Sequence, residues 1–334
     1  LDKKWNNLNL SFGTRFEHFM IGSGKTFIID GDSVNTYSRS KPVFRVGANY
    51  QIAEATYIRS SWGEGFRFPS MAEMFISTNY SGIEIYANPE LKPETGWSSE
   101  IGIKQGLKIG NWMGYLDAAA FIMEYDDMME FNFGKWGDTV KYEGDFNEGT
   151  LTITDGVGFK SVNVGKTRVS GMEFSFTGHG DINSDIGINI LAGYTYMNTK
   201  SLSPNYIYAT NNYFQIINGT LFPELVTEDL TYEESSSDTT VLKYRYKHIA
   251  KLDAEITYKK LAFGGSFRYN DFMKNIDKAF VSPLFEEYVP DVVEARNKFI
   301  DGDFIVDFRT SYQLNSTTKI SLVVNNLLNR EYMT

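Results

Sequence analysis

Apolar and polar side chains alternate along most of this chain of 334 residues. From residue 250 to residue 259, every even position is apolar or aromatic and every odd position is polar or charged. Between Trp97 and Leu107 the same split places Ile101 and Ile103 opposite Glu100. A period of two is typical of a β-strand with one apolar face and one polar face. The pattern therefore predicts a protein built from β-strands.

The alternation predicts about eleven strands, with ends defined to within about two to four residues. These strands cover residues 5–20, 41–51, 54–62, 94–107, 111–125, 160–178, 186–198, 246–259, 260–271, 302–314 and 318–327. The alternation is least regular in residues 54–62. Strands of globular sheets are usually about five to six residues long. The greater length of most predicted strands favours tilted strands that span a membrane.

The connections between these strands alternate in length. Short turns are predicted at residues 52–53, 108–110, 180–185, 259–260 and 315–317, and long links at 21–40, 63–93, 126–159, 199–245 and 272–301. In an up-and-down antiparallel sheet, every second connection emerges at the same edge, so one rim carries turns and the other carries loops. This asymmetry is typical of outer-membrane barrels, and it predicts an all-β, transmembrane, antiparallel up-and-down β-barrel.

A large soluble β-sandwich or solenoid has the same period of two. In a sandwich the polar face meets bulk water, whereas in a barrel it faces a wet lumen and the apolar face meets lipid. Strand length and loop asymmetry favour the barrel. The barrel predicts lipid-facing Ile101, Ile103, Leu252 and Ile256, and lumen-facing Glu100, Lys104, Asp253 and Glu255. It also predicts an interfacial aromatic girdle formed by Trp62, Trp97, Trp112, Tyr125, Tyr194, Tyr196, Tyr258 and Tyr312.

Composition narrows the class further. Aromatic residues make up 15% of the chain and there are only 8 prolines, which is unlike a disordered protein. The absence of cysteine excludes disulfides, thiolate catalysis and iron–sulfur clusters. No apolar run approaches the roughly 18 residues of a membrane helix. The net charge of −10 excludes a general nucleic-acid surface, which needs clustered cations.

Most of the negative charge lies in the predicted long links. There, acidic residues outnumber basic residues by more than the chain's whole net charge of −10. Such a rim is poorly suited to attract polyanions by long-range steering. It favours cationic, neutral or weakly anionic ligands, or divalent cations that bridge to an anionic outer leaflet.

Short motifs give little support for catalysis. Residues 22–26 resemble the end of a phosphate-binding P-loop, but Phe19 stands where that motif requires glycine, so we predict a flexible loop. The three histidines have no carboxylate or hydroxyl at a diagnostic spacing. Acids between residues 126 and 148 are able to coordinate calcium, although such acids more often form the solvated face of a loop. We therefore predict no enzyme, no cofactor and no resident metal.

Four segments, in the order expected, resemble the TonB-dependent outer-membrane receptor family. They are GEGFRFPS at 63–70, NPELKPE at 88–94 leading into WSSEIG at 97–102, NVGKTR at 163–168 with GME at 171–173, and NNLLNREY at 325–332. The resemblance implies a barrel of about 22 strands. Residues 1–334 would be its C-terminal half, with the plug domain, the TonB-contacting segment and the final strand outside this chain.

The resemblance also implies a function. It implies a receptor in the outer membrane of a Gram-negative bacterium, surrounded by lipid and lipopolysaccharide. Such a receptor binds a scarce small molecule, foremost a ferric siderophore or other iron chelate, and imports it through the TonB complex. A glycan, haem or cobalamin importer and a passive porin or structural barrel remain alternatives.

The haem alternative is weakened by the loop between residues 69 and 88. The segments on either side resemble boxes that flank a haem-ligating histidine, but the loop has Met71, Met74, Tyr80 and Tyr86 and no histidine. Tyrosine is also a haem ligand, so haem stays open. Ligand sites combine aromatic walls with a few polar groups. The predicted binding residues are loop aromatics and one cation, namely Arg67, Tyr80, Tyr86, Trp136 and Tyr142. An equally expected role for each is to stabilise the loops.

Overall fold

A computed structural model of the protein describes residues 1–29, 32–80, 83–136, 141–143, 152–155, 157–217, 220–282, 286 and 290–332. The described strands are β1 (Asp2–Trp5), β2 (Leu8–Ile29), β3 (Asp32–Ala53), β4 (Thr56–Arg67), β5 (Thr78–Tyr80), β6 (Ile83–Tyr86), β7 (Glu94–Ile109), β8 (Trp112–Asp126), β9 (Met129–Lys135), β10 (Lys141–Glu143), β11 (Thr152–Asp155), β12 (Val157–Asn163), β13 (Thr167–Asp181), β14 (Ile186–Ser201), β15 (Ile207–Ile217), β16 (Thr220–Thr231), β17 (His248–Tyr258), β18 (Leu261–Asn270), β19 (Asp303–Gln313) and β20 (Lys319–Val324). Two short α-helices, α1 (Met71–Phe75) and α2 (Val292–Lys298), and a 3-10 turn (Lys278–Val281) are also described.

Twelve of these strands form one antiparallel sheet, which we call the wall. Its order is β1-β2-β3-β4-β7-β8-β13-β14-β17-β18-β19-β20, so each strand pairs with the next wall strand along the chain. Tight turns join strands at one edge, the turn rim, and the other strands and helices lie in links at the opposite edge, the loop rim. The predicted antiparallel up-and-down architecture is therefore confirmed.

All eleven predicted strands have a counterpart in the wall, including residues 54–62 as β4. Two predictions at the loop rim were wrong. Residues 21–40 are mostly strand, because β2 and β3 continue as one long hairpin with a register shift between Gly22 and Phe27. The P-loop-like segment thus lies within β2 and not in a flexible loop. The predicted strand 160–178 is divided into β12 and β13 around Gly165, whose φ of +82° favours glycine.

The two faces of the wall differ as the alternation predicts. On the outer face, Ile101, Ile103, Leu252 and Ile256 are 43–58% exposed. On the inner face, two arginines each bridge two acids, in the pairs Arg59–Glu100 (2.8 Å), Arg59–Asp117 (2.7 Å), Arg309–Asp253 (2.7 Å) and Arg309–Glu255 (3.0 Å). Lys104 lies on the same face, with Nζ 3.7 Å from the ring centroid of Tyr115. A sandwich would bury its apolar face against a second sheet, and the exposed apolar face argues against that alternative.

The predicted aromatic girdle is confirmed in part. Tyr258 and Tyr312 are exposed rings at the ends of β17 and β19, whereas Trp62 and Tyr194 are exposed but lie within β4 and β14. Trp112 is instead buried, because its ring packs over Gly178 and its indole N–H donates to the carbonyl of Ile188 at 3.1 Å. Tyr125 lies on the inner face, since it alternates in phase with Asp117 along β8. Within the described part of the chain, no helix has both the length and the apolarity needed to cross a membrane.

Buried apolar side chains concentrate at the loop rim. A four-stranded sheet in the order β5-β6-β12-β9 forms there, and we call it the loop sheet. One buried cluster contains Met128, Val162, Val164, Tyr232 and Leu242, and a second contains Ile21, Tyr37 and Met74. The predicted loops are therefore a packed structure, and this structure positions the candidate site.

Candidate ligand cavities at the loop rim

The link between β4 and β7 folds back across the inner face of the β2–β3 hairpin. Its helix α1 buries Met74 against Ile21 and Tyr37. The ring of Phe68 stacks on Phe19, with centroids 4.6 Å apart. This packing fixes residues 66–75 as one side of a recess at the loop rim.

A capping box starts α1. The Ser70 hydroxyl accepts the N–H of Glu73 at 3.2 Å, and the Glu73 carboxylate accepts the N–H of Ser70 at 2.7 Å. The guanidinium of Arg67 lies 3.1 Å from the same carboxylate. Burial raises the pKa of Glu73, but the hydrogen bonds from Ser70 and Arg67 outweigh it and lower that pKa. Glu73 is therefore ionised and holds Arg67 at the start of the helix.

The recess opens because β3 and β4 separate near the loop rim. Their pairing runs up to Arg45 and Gly63, beyond which β3 pairs only with β2 and β4 only with β7. The N–H of Phe44 donates to the Glu64 carboxylate at 3.2 Å in place of a strand partner. Pro42, two positions farther along the same edge, has no N–H to satisfy. This edge of β3 is thus compatible with separation from β4.

The first cavity, of about 630 Å³, lies where the two strands separate. Small residues at successive inner-face positions create the space, and these are Ser61, Gly63, Gly65, Gly96 and Ser98. A Cβ at Gly65 would meet nothing within 4 Å, so this position opens directly into the space. The walls carry Arg45, Arg67, Glu94 and Tyr125.

The second cavity, of about 380 Å³, adjoins the first and shares Phe66 and Thr95 with it. Aromatic rings and cations line it together, and these are Tyr37, Phe66, Phe68, Arg39, Lys41 and Lys92. Glu90 and Asp127 are the acids in its lining, so basic groups outnumber acidic groups. An aromatic surface with unbalanced cations suits an anionic small molecule with a flat ring system.

A row of cations on β3 connects the two cavities. Arg39, Lys41 and Arg45 occupy alternate positions of one strand and therefore share its inner face. Among the described residues, none of the three is within 4.0 Å of a carboxylate oxygen, and neither is Lys92. The guanidinium of Arg39 lies 4.8 Å from the ring centroid of Tyr37. Arg39 Nη1 donates to the carbonyl of Ser38 at 3.0 Å. The charges of the four cations nevertheless have no described carboxylate partner, whereas Arg67 is paired with Glu73.

Of the predicted binding residues, Arg67 alone lines a described cavity. Tyr86 and Trp136 instead meet on the loop sheet at Gly158. The Trp136 indole N–H donates to the Gly158 carbonyl at 3.1 Å, and a Cβ at Gly158 would lie 3.0 Å from the Tyr86 ring. Tyr80 ends β5 and Tyr142 lies in β10, but their side chains lie outside the described residues.

The motifs that carried the family resemblance stabilise the loop rim. The Asn88 amide donates to the carbonyl of Ser161 at 2.8 Å, which ties the β6–β7 segment to β12. Asn163 accepts the N–H of Lys92 at 2.9 Å and donates to the carbonyl of Asp127 at 2.7 Å. These asparagines join separate links, so at these positions the resemblance reflects loop architecture.

A buried lysine joins three of the long links. The Lys243 side chain is fully buried, and Nζ donates to Asn132 Oδ1 at 2.9 Å and Ser235 Oγ at 2.8 Å. It also forms an ion pair with Asp277 at 3.4 Å. We call the loop sheet together with residues 232–246 and 275–282 the loop module. Burial is the largest effect on the pKa of Lys243 and lowers it, although the neighbouring acids Asp277 and Glu130 act in the opposite direction.

Sequence reasoning did not select Arg39, Lys41, Lys92 or Lys243 for a role. A signal for the β3 cations was present, because Tyr37, Arg39 and Lys41 are spaced by two. It went unused since residues 21–40 were predicted to be a loop. Lys243 offered no signal, because its partner Asn132 is 111 residues away in sequence.

No group of three or more histidine or acidic side chains in the described ranges is arranged to hold a metal ion. Of the acids considered for calcium, Asp126 and Asp127 are described. The acids at 138, 145 and 148 lie outside the described residues.

Comparison with known proteins identifies the family. The family model "TonB dependent receptor-like, beta-barrel" matches residues 1–327. No curated protein matches the chain in sequence. The fold is similar to that of the ferric-catecholate import receptor Fiu from E. coli K12 in its closed form, with 18% identity and a TM-score of 0.59 over 98% of this chain and 39% of that chain.

Two further solved structures share the fold. The copper transporter OprC is 13% identical, with a TM-score of 0.58 over 98% of this chain and 41% of that chain. The siderophore receptor PiuA from Acinetobacter baumannii is 17% identical, with a TM-score of 0.55 over 98% of this chain and 37% of that chain. This chain spans about two fifths of the length of these proteins.

The family match and the wall agree with each other. The match covers nearly the whole chain, and the antiparallel sheet with turns at one rim and long links at the other is the expected architecture. Members of this family are transport receptors of the outer membrane and not enzymes. The chain belongs to the TonB-dependent receptor-like β-barrel family.

Proposed function

We propose that the protein is the C-terminal half of an outer-membrane receptor that captures a small anionic iron chelate and imports it with TonB-derived energy. The receptor spans the outer membrane of a Gram-negative bacterium, with its apolar face against lipid and its loop rim outward beside lipopolysaccharide. The plug domain and the segment that contacts TonB belong to the part of the receptor outside residues 1–334. The protein does no bond-making chemistry.

The row of cations on β3 carries this proposal. Arg39, Lys41 and Arg45 face the cavities without a described carboxylate partner, and Lys92 adds a cation from the opposite side. The long links are acidic as a whole. Exposed charges are screened beyond about 8–10 Å at physiological ionic strength, however, so inside the cavity the nearest cations dominate.

The charge of the cavity also bears on the cargo. Unpaired cations repel a bare metal ion and attract an anionic complex of one. Two of the compared proteins are described as receptors for ferric catecholates or siderophores, and one is described as a copper transporter. The cation row favours a chelate over a free ion. Aromatic rings of Phe66 and Phe68 favour a chelate with flat aromatic groups.

Growth on defined nutrients tests this function. A deletion strain would carry the full-length receptor and would be supplied in turn with a ferric catecholate, a ferric hydroxamate, ferric citrate, haem, cobalamin and an oligosaccharide. We expect the receptor to restore growth on an anionic iron chelate. Restoration on the oligosaccharide alone would overturn the iron chelate but leave import intact. No phenotype on any nutrient would favour a passive or structural barrel.

Substitutions connect the phenotype to the site. Replacement of Arg39, Lys41 and Lys92 together with alanine should abolish growth on the chelate at an unchanged amount of receptor. A matched control replaces three exposed turn-rim lysines, Lys4, Lys108 and Lys319, and should leave growth intact. The combined Arg67→Ala, Tyr80→Ala and Tyr86→Ala variant tests the residues selected from sequence, and reduced uptake would assign them a part in capture.

A further inference from the structure

Among the described residues, the buried interior of the loop module contains the ammonium group of Lys243 and the carboxylates of Asp277 and Glu130. Both carboxylate oxygens of Asp277 accept hydrogen bonds. Its Oδ2 accepts the N–H of Phe133 at 3.1 Å and lies 3.4 Å from Lys243 Nζ, and its Oδ1 accepts the N–H of Ala279 at 3.0 Å. Asp277 is thus the negative charge that balances Lys243.

The second carboxylate, Glu130, has no such support. It lies on β9 two positions before Asn132 and is buried. Its Oε1 accepts only a long hydrogen bond of 3.5 Å from the Tyr232 hydroxyl. Its Oε2 is buried and accepts no hydrogen bond from the described residues. A carboxylate needs several donors to stay ionised without water, so this site favours the neutral acid.

Six charged or titratable groups among the described residues interact with Glu130. Residues 232–246 contribute Tyr232, Lys243, Tyr244 and Arg245, residues 275–282 contribute Asp277, and β15 contributes Tyr208. Lys243 and Arg245 favour the ionised acid, whereas Asp277 and burial favour the neutral acid. Burial is the largest effect, and it raises the pKa of Glu130 to about 7.

We propose that Glu130 is a proton-sensitive latch, which closes the loop module when it is neutral and loosens the module when it is ionised. The latch is connected to the candidate site through a hydrogen bond between β9 and a residue of the cavity wall. Next to Glu130 on β9, the N–H of Met129 donates to Glu94 Oε2 at 3.0 Å. Glu94 lines the first cavity and lies 4.0 Å from the guanidinium of Arg67. Movement of β9 therefore reaches the cavity wall.

The direction in which pH changes the stability of the closed module follows from linkage between protonation and folding. When the module opens, Glu130 meets water and regains its usual pKa near 4.5. Below that pH both states bind the proton, so pH has no effect. Between about 4.5 and 7 only the closed module holds the proton, so the closed state loses stability as pH rises. Above about 7 the effect is complete and stability stays level.

Hydrogen exchange of the full-length receptor in lipid nanodiscs tests the latch. After correction for intrinsic exchange rates, the opening equilibrium of β9 and β12 should rise on the order of 50-fold between pH 5 and pH 8. Glu130→Gln mimics the neutral acid in shape and should remove this pH dependence. Glu233→Gln changes an exposed acid in residues 232–246 of the loop module and should behave as the unaltered receptor does.

Two outcomes of the exchange experiment would overturn the latch. One is the same pH dependence in Glu130→Gln as in the unaltered receptor. The other is an opening equilibrium of β9 that does not change with pH. Difference infrared spectroscopy at pH 6 gives a second test that does not depend on exchange. It should show a protonated carboxyl band that Glu130→Gln removes, and its absence from the unaltered receptor would also overturn the latch.

Discussion

The wall and the loop module use the same residue types in opposite ways. In the wall, Arg309 of β19 is about one-third exposed and pairs with two acids of β17, beyond the intervening strand β18, on the polar inner face. In the loop module, Lys243 is fully buried and reaches three partners from three links. The wall repeats the same antiparallel strand pairing through twelve strands, whereas the module depends on the contacts of one buried lysine.

This difference determines how strongly each region is destabilised when one charge of an ion pair is lost. Partly exposed ion pairs contribute about 0–1 kcal/mol each, because water and salt screen them. A buried pair costs much more to break, because the remaining partner keeps its charge without compensation. We therefore expect loss of one charge to be mild in the wall and severe in the module. The following predictions test that contrast, from the largest effect to the smallest.

Lys243→Met should have the largest effect on stability. It removes the buried ammonium and leaves Asp277 without its counter-charge, so the loop module should lose about 3–5 kcal/mol. Hydrogen exchange should show faster exchange in β9 and β12, while β13 and β14 of the wall keep their protection. Lys200→Met, at an exposed position near the end of β14, is the matched control and should change neither region.

An arginine on the outer face should come next. Ile103→Arg places a charge against lipid and should cost about 2–4 kcal/mol near the middle of the bilayer. Lys104→Arg introduces the same side chain one position later on the inner face, where water is present. Unfolding of the receptor by denaturant in lipid should separate the two, and equal stability would show that the faces are wrongly assigned.

Arg309→Met should have a small effect. It releases Asp253 and Glu255, but both acids remain on the inner face in contact with water. A loss of about 1 kcal/mol or less is expected. Thermal unfolding at low and high salt measures it, and a loss as large as that of Lys243→Met would contradict the contrast between the two regions.

Gly65→Ala should leave stability unchanged, because the added methyl group meets nothing within 4 Å. The methyl group would occupy part of the first cavity and should weaken uptake. Gly96→Ala is the informative comparison, since its methyl group would overlap the carbonyl oxygen of Glu124 and should destabilise the wall. Measured unfolding and uptake should therefore separate these two glycines.

The wall was predictable because apolar and polar side chains alternate in a strand that has one face toward lipid and the other toward water. Leu252 and Asp253 show the rule in one pair, and it holds without knowledge of any other strand. The alternation is lost where a strand extends beyond the lipid. Beyond Pro42 the outer face of β3 carries Ser40 and Ser38, so nothing apolar marks the strand, and only pairing with β2 shows that it continues.

The loop module was less predictable for another reason. In β9, Met129, Phe131 and Phe133 alternate with Glu130 and Asn132, so the period of two was present in a predicted link. The period predicts water on the polar face. Here Lys243 covers that face from far along the chain, and no local pattern reports a contact of that range. Arg39 was missed because the part of β3 that contains it, within residues 21–40, was predicted to be a loop.

The affinity of the purified full-length receptor for the iron chelate that supports growth tests the central claim most directly. The variant to compare is the charge reversal Arg39→Glu, Lys41→Glu and Lys92→Glu, with reversal of Lys4, Lys108 and Lys319 as the control. We predict at least about a tenfold loss of affinity in the cavity variant, which corresponds to about 1.4 kcal/mol, a smaller difference at high salt, and no loss in the control. Unchanged affinity in the cavity variant, or an equal loss in both, would contradict the assignment of the cation row as the capture site.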